Sequence, residues 1–126
     1  MTQLLTSYYA NASKFPKNAI LIQISSSKPD AFHVHGNFKE VAPSYVDLVA
    51  PHKQGQISDS FYRAKYLSQL YKNKEQILQK LDRLVSIANG SPVIFLCWCK
   101  PDKFCHRHIF AEFVNQYYQN CLVCEL

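Results

Sequence analysis

Long apolar runs, repeats, low-complexity tracts and blocks of like charge are all missing from this 126-residue chain. No apolar stretch approaches the roughly 18 residues of a membrane-spanning helix, so no membrane is expected among its partners. The opening Met1-Thr2-Gln3-Leu4-Leu5-Thr6 has neither the basic start nor the long apolar core of a secretory signal. Acidic residues are scarce, nine against fourteen Lys and Arg, giving a net charge of +5. That balance suits an anionic ligand or nucleic acid. The lysines are nevertheless scattered from Lys14 to Lys103, which favours an ordinary solvated surface over a functional basic face. The five cysteines are an odd number, and Cys97 and Cys99 stand two apart in a predicted strand, a poor geometry for a disulfide. A reduced, cytoplasmic chain is expected.

What is present is enough for one folded domain over residues 1–126: 48% of the residues are hydrophobic and 18% charged. Strands are predicted over Gln3–Tyr9, Ala19–Ser25 and Pro92–Cys97, the second a nearly continuous β-branched run that suits a strand covered on both faces. Residues 30–58 carry Pro43, Pro51, Gly36 and Gly55 with no sustained period. They read as an irregular excursion with one short helix near Ser44–Val49. Helical spacing returns over Asp59–Ala88 in two registers, capped by Ser58 or Asp59 and stopped by Asn89-Gly90, with a break near Asn73 as plausible as one long helix. A last helix is predicted over Arg107–Tyr118, then an apolar tail Cys121–Leu126. The succession of strand, helix and strand predicts an α/β fold: a mainly parallel sheet of about four strands flanked by helices in a Rossmann-like, three-layer arrangement.

The richest segment is Cys97-Trp98-Cys99-Lys100-Pro101-Asp102-Lys103-Phe104-Cys105-His106-Arg107-His108. It joins a strand to a helix start, where unpaired N–H groups and the helix dipole hold anions or stabilise a thiolate. In parallel sheets the ligand crevice lies beyond the carboxyl ends of the strands. Tyr8, Ser25 to Lys28, and Cys97 to His106 all follow predicted strands, so they are expected to converge.

The run from Phe95 to His108, with Ala111-Glu112-Phe113 after it, resembles the carboxyl-terminal signature of the family of unknown function numbered 488 (DUF488), a Cys followed by Cys-His-Arg opening a helix. Thr6-Ser7-Tyr8-Tyr9-Ala10, Phe15-Pro16, Ile22 to Ser25, Lys28-Pro29, Ala42-Pro43-Ser44 and Tyr62-Arg63 also fit members of that family. The resemblance implies a small member of phage or bacterial type. Many members place an arginine after the second strand. Here Ser25-Ser26-Ser27 has none, so Lys28 is expected to substitute. Cys99 stands where an acidic or other non-thiol residue is common, which lends no support to a metal role for it.

Three functions are weighed. In the first the protein is an enzyme for a small anionic, nucleotide-like or phosphorylated ligand. Cys105 is the nucleophile, His106 or His108 the base, and Arg107 the clamp, with Ser25, Ser27 and Lys28 lining the opposite wall, Tyr8 also binding the substrate, and Cys97, His108 and Glu112 in support. The spacing is not the Cys-x5-Arg loop of cysteine phosphatases, because Arg107 follows Cys105 by only two residues, and that mechanism is disfavoured. The competing reading of Cys105 is a small buried residue packing the helix start. The second function is a non-enzymatic module for nucleic acid or a protein, of phage or mobile-element origin. Against it, most aromatics fall at helix-face spacing, and Trp98 alternates with the two cysteines and reads as core. The third is a zinc site on Cys97, Cys105 and His106, whose spacing lacks a C-x2-C knuckle unless Cys121 and Cys124 join it. His33 and His35 read as loop histidines and Glu112 as a partner of His108 or Arg107, or a surface ion pair. No metal or cofactor is expected.

Overall fold

The structure is a computed structural model that describes residues 2–100, 102–119 and 121–126. Five strands, β1 (Leu4–Tyr8), β2 (Ile20–Gln23), β3 (Gly36–Asn37), β4 (Val93–Cys97) and β5 (Val123–Glu125), form one sheet in the order β3-β2-β4-β1-β5. Every pairing is parallel. The α/β expectation holds, with two short edge strands that the sequence does not announce. β3 has only two residues and no alternation to read. At Gly36 an added Cβ would lie 3.3 Å from Ile22 Cδ1, so a glycine lets this edge approach β2 closely.

β4 is central and entirely buried, as its unbroken apolar run requires. One sheet face carries α2 (Asp59–Lys72), α3 (Lys74–Ala88) and α4 (His106–Tyr117), which bury Tyr66, Leu70, Ile77, Leu81, Phe110 and Phe113 against Leu4, Ile22, Val93 and Phe95. The other face is thinner. Leu5, Ile94 and Leu96 meet Tyr9 from a 3₁₀ turn at Tyr9–Lys14, Phe15 and Ala19 from the segment leading into β2, and Phe32 and Val34 from the loop before β3.

The long helical pattern divides at Asn73, whose amide donates to the Glu40 carbonyl. Ser58 is the cap: its Oγ accepts from the Phe61 N–H at 3.1 Å. Asn89 ends α3 in the left-handed region at φ 47. The excursion hides a 3₁₀ turn at Lys39–Val41, a π-helical turn at Tyr45–Val49 and the single-turn α1 (Ala50–Lys53).

Parallel register builds the site. Tyr8 is opposite Cys97, Gln23 is opposite Leu96, and the Ile24 N–H continues the ladder to the Leu96 carbonyl. The carboxyl ends of β1, β2 and β4 therefore finish at one level, where the sequence reading expects the crevice.

Candidate functional site

β4 stops at Cys97, and this decides the geometry. Beyond it the chain leaves the ladder, turns through Lys100–Lys103 and enters α4 with Cys105 at the N-cap. Pro101, part of the expected loop, lies outside the described residues. Strand alternation no longer applies after Cys97, and three thiols meet. Cys97 Sγ is 2.9 Å from Cys105 Sγ, and Cys99 exchanges hydrogen bonds with both. Trp98 is correspondingly not core. It is 50% exposed, with its indole N–H held by the Ser27 carbonyl at 3.0 Å and its ring edge-on to Tyr9.

The three thiols are electrostatically unequal. Cys105 is pushed up furthest, by the hydrogen bonds it gives to Cys97 and Cys99 and by burial. In Cys97 the bond from Cys105 lowers the pKa, but its own bond to Cys99 and burial prevail, to about 11. Cys99 is drawn down by hydrogen bonds from Cys105 and Cys97 against the cost of burial, with His106 and Arg107 adding to the effect. Of the three, Cys99 is the thiol whose hydrogen bonds favour the ionised form, and it is the only one that is not fully buried.

Arg107 is completely buried. Its Nε and Nη2 fork onto the Glu125 carboxylate at 2.8 to 3.2 Å, while Nη1 donates to Cys97 Sγ at 2.8 Å and to the Cys99 carbonyl. Glu125 also accepts from Thr6 Oγ1, and Tyr8 lies with its ring 5.6 Å from the guanidinium. Burial raises the Glu125 carboxyl, but the Arg107 and Thr6 bonds outweigh it and hold it low. Arg107 and Tyr8 thus stand behind the thiols and do not line the cavity.

His106 is buried beneath Tyr66, with Nε2 2.8 Å from the Ile24 carbonyl. A carbonyl partner assigns the proton to Nε2, leaving the Nδ1 lone pair facing Cys105 Sγ at 3.8 Å. Burial lowers its pKa to about 4 against the raising effect of the Ile24 bond, so the ring is neutral near pH 7. His108 has its backbone N–H on the Cys105 carbonyl, and its buried Nε2 has no hydrogen bond among the described residues. Ser25 is buried, its hydroxyl bonded to Tyr9 OH at 2.8 Å and to the Ser27 carbonyl. Burial takes the Tyr9 phenol up to about 12.

In front of the thiols lies a cavity of about 410 Å³. Ser25 and Ser26 form one side, with Trp98, Cys99, Cys105 and His106 behind. The far wall is Pro43, Val49, His52 and Tyr62, closed by Phe104, whose ring centroid is 4.9 Å from that of His52 and 5.3 Å from that of Tyr62. Lys53 and Lys103 supply its cations, while Lys28 is half-buried elsewhere. Glu112 is also apart. It pairs with exposed Arg63 across α2 and α4, so Glu125 takes the orienting place considered for it.

No three His, Cys, Asp or Glu side chains among the described residues are disposed to hold a metal ion. The set Cys97, Cys105 and His106 fits zinc poorly. A guanidinium cation sits 2.8 Å from Cys97 Sγ, which disfavours a dication beside it. Cys121 bonds the Thr2 carbonyl and Cys124 is exposed on β5. His33 and His35 meet edge-to-face in an exposed loop.

Sequence reasoning missed Glu125, whose one signal is a lone acid in an apolar tail. It also missed the far wall, which comes from the segment without a period. No curated protein and no solved structure matches the chain. One family model, DUF488-N3a, described as the active DUF488-N3 subclade, matches residues 16–118, a span that runs from ahead of β2 through the thiol loop to the end of α4. By that match over most of its length, the chain belongs to the DUF488 family.

Proposed function

We propose that the protein is an enzyme that binds a small anionic, nucleotide-like or otherwise phosphorylated substrate in this cavity and attacks it with the Cys99 thiolate. The observation that carries the reading is the thiol cluster: an accessible sulfur at the cavity wall, with two buried thiols hydrogen-bonded to it. Thiolate is the nucleophilic form of cysteine, and donors aimed at it keep it ionised near neutrality. The reading moves the nucleophile from Cys105, which holds its proton, to Cys99. In the attack a bond forms to Cys99 Sγ, the bond to the leaving group breaks, and the leaving group takes the Cys105 proton. Water then releases the adduct and returns a proton to Cys105, while the His106 Nδ1 lone pair steadies that thiol through both steps. The aromatic walls suit a planar ring, and Lys53 and Lys103 suit its phosphate.

The test is iodoacetamide alkylation across pH, followed by peptide mass mapping. Cys99 is expected to react first and well below pH 8, and nucleoside monophosphates are expected to protect it better than nucleosides. Lys53→Ala and Lys103→Ala should each weaken protection by roughly two- to fivefold, the scale of one exposed charge contact. Cys105 reacting ahead of Cys99, or three equally slow thiols, would sink the nucleophile assignment. Protection by single-stranded nucleic acid but not by mononucleotides would favour a binding module instead.

A further inference from the structure

Two of the three thiols are left without a covalent task by the reaction above, and both are buried. Here the arrangement is that of an oxidation site: one accessible sulfur, a second sulfur in contact with it, and a base beside the second. We propose that the cluster reacts with hydroperoxides, Cys99 being oxidised first and Cys105 closing on it to form an internal Cys99–Cys105 disulfide. The proposal rests on the reading of Cys99 as the cluster's thiolate, and it adds a reversible off-state to the site.

The chemistry balances with the peroxide as the only co-reactant. Cys99 Sγ attacks the distal oxygen of the hydroperoxide. An S–O bond forms, the O–O bond breaks, and the departing hydroxide or alkoxide takes a proton from solvent. Cys99 is now a sulfenic acid. Cys105 Sγ, with the His106 Nδ1 lone pair 3.8 Å away to receive its proton, attacks that sulfur. The S–S bond forms, the S–O bond breaks, and hydroxide leaves and recovers the proton as water. Two thiols have lost two electrons and the peroxide has gained them. A small dithiol reverses the bridge by exchange.

Cys105 is the resolving thiol in preference to Cys97 for two reasons. Cys97 is anchored inside β4 and bonded to the Arg107 guanidinium, which fixes its sulfur against the strand end. It is also only two residues from Cys99, a spacing too tight for an unstrained bridge. Cys105 begins α4 on the far side of the loop and has the imidazole at hand.

The experiment treats the full chain with a slight excess of hydrogen peroxide, blocks free thiols, and maps non-reduced peptides by mass. The expected product is two mass units lighter, with Cys99 and Cys105 in one cross-linked pair that dithiothreitol reopens. Cys105→Ser should instead accumulate Cys99 sulfenic acid, trapped by dimedone, at least tenfold above the wild type. If that variant does not fold, a dimedone time course on the wild type serves, and transient labelling at Cys99 ahead of the bridge is expected. Sulfinic acid at Cys99 with no bridge overturns the proposal, as does a Cys97 bridge that persists in Cys105→Ser. A bridge that forms in a protein no nucleotide protects would retain this inference and retire the substrate assignment. Low-pH alkylation of Cys99 with no bridge would do the reverse.

Discussion

Burial keeps the His106 imidazole neutral, and neutrality makes it pH-sensitive. Its pKa, lowered to about 4, lies below the ordinary value of 6.5, so between these values the unfolded chain binds more protons than the folded one. The stabilisation is complete above pH 6.5 and is lost as pH falls toward 4, on the order of 3 kcal/mol in all. The Glu125 carboxyl, held low, pushes in the same direction at the acid end. Urea unfolding midpoints should therefore fall from pH 7 to pH 5. His106→Gln, which keeps a donor for the Ile24 carbonyl, should flatten that dependence, and an equal slope in the variant would contradict the assignment. At this scale the sequence was partly legible. Cys105, His106 and Arg107 announce a helix start with chemistry on it, and the structure puts them there. The role of Arg107 was not legible, because its partner Glu125 is far along the chain and short-range patterns carry no pairing information.

The elements divide by the same physics. Periods of helix length over Asp59–Ala88 and apolar runs at β2 and β4 were readable because one repeated residue choice serves one buried face. Within residues 30–58 only the helical turn expected near Ser44–Val49 was readable, and it is found at Tyr45–Val49 with Ser44 as its cap; the 3₁₀ turn and two-residue strand are too short to express a period. β5 was a bare apolar tail in the sequence, yet it brings Glu125 to Arg107. Glu125→Ala should leave the buried guanidinium half unpaired and lower stability by about 2–3 kcal/mol, whereas Glu125→Gln should lose less. Equal, negligible losses in chemical denaturation would show that the fork contributes little. At the end of α3, Asn89→Ala places a Cβ-bearing residue without an amide in the left-handed region and should cost about 1 kcal/mol, while Asn89→Gly should be nearly neutral.

At the scale of the whole molecule, one buried cluster runs from β1, β2 and β4 through α2, α3 and α4, and the cavity is walled by residues attached to that same cluster. Fluorescence of the single Trp98 at the site and far-UV circular dichroism of the helices should report one coincident unfolding transition. Separate midpoints would mean that the site melts on its own. No helix among the described residues is long and apolar enough to cross a membrane. The strand order carries a further consequence. β1 pairs only with β4 and β5, so Leu4 finds its neighbours in Val93 and Val123. Closing such distant contacts is entropically slow, and parallel sheets of this kind fold in milliseconds to seconds rather than microseconds. In chain order β1 precedes both of these partners, so the oily strand has to wait for segments that follow it.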